Sequence, residues 1–366
     1  MNKNAYKLKG LLAKNAYDWW WHSFTGRDAE TGELKPFFIE YYVINPALWK
    51  GKKVFGQLKE NSAGDKRPCY AMIKAGSWGS EKAQIHNFFD MDACEFSYQK
   101  LDCRLGQNIL TENFLKGEVI ITKEECLQHP EYMTDAGHMK WELQVNKKLS
   151  YDVGYGSSKI FSSLAVFRMF WHVQGMMSEF HGTVEFNGRK YIVEPETSYG
   201  YQDKNWGRDY TNPWIWLNCN NFVSQKTGEK VTSSLDVGGG CPVVLGIPLK
   251  RKILTAFYYE GRLYEFNFSK FWKYSKQYFH VSEDETHINW EVISESSNHL
   301  LEIKMKCRKD LMLLVNYENP KGEKHHRKLW NGGHAQGMVK FYKKGKKLEL
   351  IDELRAEYGG CEYGEY

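Results

Sequence analysis

The chain has 366 residues, a length that predicts about two domains. Its 42% hydrophobic and 26% charged residues exclude a disordered or fibrous protein. No apolar run approaches the ~18 residues of a membrane-spanning helix, and residues 1–15 lack the apolar stretch of a secretory signal. We therefore expect a cytoplasmic protein.

The charge and the motifs limit the classes of partner. A net charge of +5 is small for this length, so we expect no nucleic-acid partner, and two basic runs, residues 250–252 and 343–347, are interpreted as solvated hairpin turns. The 8 cysteines show no C-x-x-C spacing, which argues against a structural zinc site and a disulfide scaffold. Phosphate-loop, dinucleotide-binding and H-E-x-x-H motifs are absent. We expect no metal and no cofactor, although spacing alone leaves open a metal site assembled from distant residues.

Alternation of apolar and polar residues dominates the chain and predicts an all-β protein. Strands are predicted over residues 37–44 and 117–122, a single helical turn over 124–128, and a short helix or buried connector over 159–169. Four hairpins follow in chain order: 183–186 with 189–193, 254–259 with 262–268, 287–294 with 299–307, and 337–342 with 347–351. Asn187-Gly188 supplies the positive φ angles that a tight hairpin turn requires. Together with the length, these hairpins predict one β domain over residues 1–207 and another over 208–366.

Residues 170–222 combine large aromatic side chains with groups that can carry protons. Trp214 and Trp216 would share one face of a strand, where they could form either a core or the floor of a pocket. Residues 204–207 could be a tight turn that ends at a glycine. Buried polar groups are costly unless they are paired, so such clusters often line a site.

This segment resembles the tocopherol cyclase family. The residues that carry the resemblance are Gly182, Glu185, Gly188, Glu194, Ser198, Tyr199, Asp203-Lys204-Asn205-Trp206-Gly207, Trp214, Trp216, Cys219-Asn220 and Phe222. Tyr17-Asp18 with Trp20 and Trp21 is similar to the opening strand of the family. The chain departs from the family pattern by two extra residues before Asp203 and by Asn212-Pro213 in place of basic residues.

The resemblance implies two lipocalin-like antiparallel β domains, of barrel or sandwich type, packed together with few short helices. It also implies a cofactor-free cyclisation, in which an acid protonates an alkene of a hydrophobic substrate and a phenol oxygen closes the ring. We expect this substrate to be a prenylated, isoprenoid quinol-like molecule or a polyketide-like one. Such a reaction needs a buried acid that stays protonated, aromatic faces and a dry pocket. Contact with a membrane surface is left open.

The composition of residues 170–222 and the resemblance together suggest two groups of site residues. The candidates for the acid are Asp203 and Glu194, with Tyr199 as an alternative proton source if Lys204 holds Asp203 ionised; a structural role for both carboxyls stays open. The expected substrate-binding residues are Asp18, Trp20, His172, Gln174, Lys204, Asn205, Trp206, Trp214 and Trp216. Of these, Trp20, Trp206, Trp214 and Trp216 are expected to border one apolar pocket. The alternatives to an isoprenoid cyclase are a hydratase, a carrier of a hydrophobic molecule and a carbohydrate-binding module.

Overall fold

The structure is a computed structural model, and it describes residues 2–64, 66–153, 168–241, 243–244, 247–248, 250–268, 270, 272–323 and 328–365. Within these residues the chain is nearly all β-strand, with two short helices, α1 (Lys59–Ser62) and α2 (Lys123–Gln128), and a few 3-10 turns. The α2 helix begins with a capping box between Thr122 and Glu125. No described helix is long and apolar enough to cross a membrane.

The first sheet contains twelve antiparallel strands. They are β1 (Tyr17–Asp28), β2 (Leu34–Ile44), β3 (Tyr70–Ser77), β4 (Ala83–Phe89), β5 (Cys94–Phe96), β6 (Asp102–Leu105), β7 (Asn108–Thr111), β8 (Phe114–Ile121), β9 (Gly137–Tyr151), β10 (Met169–Phe186), β11 (Arg189–Val193) and β12 (Gly200–Gly207). Their order is β4-β3-β2-β1-β11-β10-β9-β8-β7-β6-β5. The strands β11 and β12 occupy the same position in the sheet, between β1 and β10. β12 pairs with the first part of β1 and β10, and β11 pairs with their last residues. The sheet curls like a barrel. Its edge strand β4 contacts β8 and β9, which are distant from it in the strand order.

The second sheet also contains twelve strands. They are β13 (Trp214–Cys219), β14 (Phe222–Ser224), β15 (Lys230–Val231), β16 (Ser233–Gly240), β19 (Lys252–Tyr259), β20 (Arg262–Asn267), β21 (Ser275–Glu283), β22 (His287–Ser296), β23 (His299–Arg308), β24 (Leu313–Val315), β25 (Leu329–Lys344) and β26 (Leu348–Gly364). The main order is β20-β19-β16-β13-β26-β25-β23-β22-β21, and the edge strand β20 contacts the opposite edge strand β21. A separate pair is formed by β17 (Val243–Val244) and β18 (Ile247–Pro248).

The described apolar side chains form a core inside each sheet, a core between the two sheets and a smaller cluster around Tyr17, Tyr42 and Tyr70. Trp141 lies in the first core and Trp290 in the second. The core between the sheets is rich in aromatic rings, among them Trp21, Trp171 and Trp216. This third core surrounds the polar residues described below.

The structure confirms the all-β prediction, the two barrel-like antiparallel sheets and the four hairpins. The helix predicted over 159–169 falls outside the described residues, apart from its last two positions, and Met169 begins β10. The first sheet ends at Gly207 and the second begins at Trp214. The division into domains 1–207 and 208–366 stays a prediction.

Candidate functional site

The strand β12 carries the segment that the sequence singled out. Residues 204–207 do not form a tight turn: β12 is buried along its whole length and pairs with β1 on one side and β10 on the other. Because successive side chains of a strand point to opposite faces, Lys204 points into the core of the first sheet. Asp203 and Asn205 point towards the second sheet.

Lys204 forms a buried ion pair with Asp18, and both side chains have no exposed surface. The Lys204 ammonium also lies 3.6 Å from the centroid of the Trp20 ring, and Asp18 Oδ2 accepts a hydrogen bond of 2.7 Å from the backbone N–H of Lys7. Burial lowers the pKa of Lys204 to about 8 and raises that of Asp18, while their contact opposes both shifts. Lys204 is therefore the partner of Asp18 and does not hold Asp203 ionised.

Asp203 is a buried acid in the core between the sheets. Its Oδ2 accepts a hydrogen bond of 2.8 Å from Trp171 Nε1 and a longer one of 3.4 Å from the Tyr201 hydroxyl. Its Oδ1 lies 3.4 Å from Asn205 Nδ2, and no ion pair to Asp203 occurs in the described part of the chain. Burial raises the pKa of Asp203 to about 8, so the carboxyl is mainly protonated at neutral pH.

The side chain of Asn205 can accept this proton in a hydrogen bond. Its buried Oδ1 has no hydrogen-bond partner among the described residues, and the two ends of an amide cannot be told apart without the surrounding network. A rotation of the amide by 180° brings Oδ1 to the position of Nδ2, facing Asp203 Oδ1. Asp203 then donates to Asn205 as a neutral acid.

A second carboxyl, Glu362 in β26, faces Asp203 from the second sheet. Trp214 Nε1 and Asn331 Nδ2 donate hydrogen bonds to Glu362, the latter at 2.8 Å. Burial of its carboxyl raises the pKa of Glu362 to about 7, against these two donors. The group is thus partly ionised at neutral pH, in contrast to Asp203.

Asp203 and Glu362 line one small cavity between the sheets. Its volume is about 20 Å³, which is room for about one water. The remaining lining residues are mostly aromatic: Trp19, Trp21, Asn205, Trp214, Trp216, Tyr317 and Asn331. An adjoining cavity of about 10 Å³ shares Trp19, Trp214, Tyr317 and Glu362 with it.

Two further carboxyls lie in the same core. Glu40 in β2 and Asp203 in β12 pair in register with the same residue of β1, Trp21, from its two sides. Glu40 accepts a hydrogen bond of 2.9 Å from the Tyr317 hydroxyl. The ammonium of Lys74 lies 3.6 Å from Glu40 and neutralises it. Asp236 in β16 is almost fully buried, and burial raises its pKa well above the usual range. The core therefore concentrates carboxyls among aromatic rings.

Two of the candidate catalytic residues lie away from Asp203. Glu194 is exposed and its carboxylate lies 3.5 Å from Arg27. The hydroxyl of Tyr199 accepts a hydrogen bond of 3.2 Å from Lys230, and its ring stacks on Tyr358. Both residues belong to the connection between β11 and β12, and their side chains contact other partners than the Asp203 carboxyl. Their catalytic role stays a prediction.

The expected common pocket of four tryptophans is not formed. Trp214 and Trp216 line the cavity, whereas Trp20 and Trp206 lie on the opposite face with Lys204. The alternation of side chains along β1 and β12 separates the two pairs.

The last two predicted binding residues are His172 and Gln174 in β10. His172 pairs in register with Lys204 and lies 3.5 Å from Asp152, and burial lowers its pKa to about 4. Gln174 donates a hydrogen bond of 2.9 Å to the backbone carbonyl of Asp203. Neither residue lines the cavity, and Gln174 positions the strand that carries the acid.

Sequence reasoning missed the contribution of the second sheet. Glu362, Asn331 and Tyr317 belong to no local motif. The pairing of β13 with β26 brings Glu362 to the acid, the pairing of β26 with β25 brings Asn331, and Tyr317 follows β24, which pairs with β25. Among the residues that the structure describes, no three His, Cys, Asp or Glu side chains group as a metal site requires.

Fold and site together define an all-β protein with a protonated carboxyl in an aromatic cavity between two sheets. A sequence model of the family described as tocopherol cyclase-like matches residues 74–365. The chain belongs to this tocopherol cyclase-like family.

Two curated plant proteins are similar to parts of the chain. The "probable tocopherol cyclase, chloroplastic" of Oryza sativa subsp. japonica is 28% identical over 178 residues, which is 47% of this chain and 35% of that protein. The "tocopherol cyclase, chloroplastic" of Zea mays is 28% identical over 141 residues, or 37% of this chain and 28% of that protein. The matches thus span about a third of these relatives. The cytoplasmic location stays a prediction.

Two solved structures align with nearly the whole chain at very low identity. A candidate AttH protein of Nitrosomonas europaea has a TM-score of 0.46 and 10% identity, with 94% of this chain and 93% of that chain covered. Kievitone hydratase of Nectria haematococca has a TM-score of 0.46 and 9% identity, with 99% and 95% covered.

Proposed function

We propose that this protein is an enzyme that isomerises a prenylated phenol by acid-catalysed ring closure. The observation that supports it best is Asp203, a carboxyl with a pKa of about 8 in a cavity lined by four indole rings. It forms no ion pair with any residue that the structure describes. An acid of this kind keeps its proton at neutral pH until an alkene takes it. Membership of the tocopherol cyclase-like family supports the same reaction class.

In the proposed reaction the substrate gains one proton from the protein and gives one proton back. Asp203 gives its proton to one alkene carbon, and the other carbon becomes a tertiary carbocation that faces the indole rings. The phenol oxygen attacks this carbon and forms the new C–O bond. Glu362 accepts the phenol proton, because its lower pKa leaves it partly ionised when Asp203 is protonated. The product is an isomer of the substrate, so no oxidant or reductant is consumed.

The substrate must widen the cavity between the sheets. A volume of about 20 Å³ holds one water and no prenyl chain. Trp19, Trp214 and Tyr317 separate this cavity from its neighbour, so displacement of these rings joins the two spaces. The hydrophobic, isoprenoid quinol-like substrate is itself part of the proposal.

The test uses a panel of prenylated hydroquinones of increasing tail length, incubated in D₂O and analysed by mass spectrometry. Cyclisation yields an isomer that carries one deuterium on carbon. Asp203→Asn should lower turnover by about 10²–10⁴-fold, the usual contribution of a general acid, and Glu362→Gln should remove the acidic limb of the pH profile near pH 7. The alkaline limb should lie near pH 8, where Asp203 loses its proton.

Glu194→Gln is the matched control, since Glu194 is an exposed carboxyl of the same motif. It should retain wild-type turnover. A product heavier by one water would identify a hydratase, and a substrate recovered unchanged but bound would identify a carrier. Either result, or full turnover by Asp203→Asn, contradicts the cyclase proposal.

A further inference from the structure

One end of the second sheet gathers basic side chains from separate parts of the chain. The described residues of the connection between β20 and β21 (268, 270 and 272–274) meet the turn between β22 and β23 and the turn between β25 and β26 at this end. The backbone N–H of Lys344 donates a hydrogen bond of 2.8 Å to the carbonyl of Asn298, and its ammonium lies 5.7 Å from the centroid of the Tyr274 ring. We call these three connections, with the start of β20, the basic end.

Positive charge exceeds negative charge at the basic end. Lys270 pairs with Glu265 and Lys344 with Glu295, while Glu260 and Glu349 are the other acids close by in sequence. The remaining cations are exposed and form no ion pair with any described residue: Arg262, Lys273, Lys343, Lys346 and Lys347. Their charge is therefore available to an anionic partner.

Large apolar side chains are exposed among these cations. Trp272 is 66% exposed, Tyr274 54% and Leu348 52%. Leu348 pairs in register with Lys344, which also contacts Tyr274. Tryptophan, tyrosine and lysine are the residues that anchor proteins at the boundary between lipid headgroups and acyl chains.

A cleft opens at the same place. It has a volume of about 390 Å³ between β20 and residues 270 and 272–275, and its lining includes Arg262, Lys270, Lys273, His299 and the paired Glu265. The ring of Tyr264 forms part of its wall and stacks edge-on against His299 at 4.8 Å. The cleft has the size and the charge to accept a phosphate headgroup.

We propose that the basic end docks on an anionic lipid surface. Lysines attract the headgroups, and Trp272, Tyr274 and Leu348 insert at the level of the acyl chains. A nucleic acid would satisfy the charges, but it offers no hydrocarbon layer for Leu348. The surface is separate from the cavity at Asp203, and the proposal does not depend on the reaction.

The test is sedimentation of the full chain with vesicles of phosphatidylcholine alone or with about a third phosphatidylserine. The protein should bind the anionic vesicles and not the neutral ones. The triple variant Lys343→Gln, Lys346→Gln, Lys347→Gln should bind on the order of a hundredfold more weakly, at about fivefold per lysine. Trp272→Ala should weaken binding by roughly tenfold.

Lys50→Gln, Lys52→Gln, Lys123→Gln is the matched control, because it removes three exposed lysines outside the basic end. It should bind like the wild type. Equal loss in both triple variants would mean that only net charge matters and would overturn the proposal. So would equal binding to neutral vesicles, or binding of a single-stranded oligonucleotide without binding of vesicles.

Discussion

At the scale of single residues, Asp203 and Lys204 are neighbours in sequence with opposite surroundings. Lys204 meets Asp18 inside the first sheet, while Asp203 meets indole and amide groups between the sheets. Had the two side chains paired, the aspartate would be ionised and unable to protonate carbon. The strand geometry of β12 thus decides which carboxyl keeps a proton.

The raised pKa of Asp203 makes a prediction about stability that needs no substrate. An aspartate in an unfolded chain has a pKa near 3.9, and in the folded protein that of Asp203 is about 8. Between these values only the folded state holds the proton, so this contribution to stability is complete below pH 4 and is lost as the pH rises to 8. The loss is about 1.4 kcal/mol per pH unit, or several kcal/mol in all.

Asp203→Asn should remove this dependence. The free energies of unfolding of the variant and the wild type are measured by urea unfolding. Their difference, variant minus wild type, should increase by several kcal/mol between pH 5 and pH 8. Glu194→Gln, which alters an exposed carboxyl, should run parallel to the wild type. Parallel curves for Asp203→Asn would mean that Asp203 is ionised in the folded protein.

At the scale of elements, the hairpins were predictable and β12 was not. Hairpins can be recognised by the alternation of apolar and polar residues and by turn residues such as Asn187, which has a φ of 50°. In β12 both faces are buried, one in the core of the first sheet and one in the core between the sheets. A strand with polar residues on two buried faces has no alternation to detect, so the segment before Gly207 resembled a turn.

The candidate site likewise contains residues that the sequence could predict and residues that it could not. Asp203, Trp214 and Trp216 could be found because they lie within one stretch of sequence. Glu362 could not, because it reaches Trp214 across 148 positions and only through the pairing of β13 with β26. Long-range pairing of this kind leaves no local pattern in a single sequence.

The strand β16 supports the acid through a glycine. A Cβ atom at Gly238 would lie 2.3 Å from the ring of Trp171, and Trp171 donates the shortest hydrogen bond to Asp203. Gly238→Ala should therefore displace the indole, lower stability by about 1–3 kcal/mol and reduce turnover. Gly64→Ala, at an exposed glycine with no contact closer than 3.4 Å, is the control and should change neither property. Wild-type turnover by Gly238→Ala would show that the Trp171 hydrogen bond is dispensable.

At the scale of the whole molecule, the two sheets are joined by the core that holds the acid. Trp78 Nε1 donates a hydrogen bond of 2.7 Å to Asn331, and the Tyr42 hydroxyl donates one of 2.9 Å to the carbonyl of Glu318. In the opposite direction, Asn220 Nδ2 donates a hydrogen bond of 2.7 Å to the carbonyl of Gly200 in the first sheet. Separation of the sheets would expose these groups together with Glu40 and Asp203, so neither sheet has an independent stable surface on this side.

We therefore expect the two sheets to unfold in one transition, even if the division near residue 207 is correct. Trp141→Ala in the first core and Trp290→Ala in the second each remove a buried indole and should each cost about 3–5 kcal/mol. In differential scanning calorimetry both variants should lower the midpoint of the same single peak. If each variant instead moves one of two resolved peaks, the sheets unfold independently, and the aromatic core between them does not couple them.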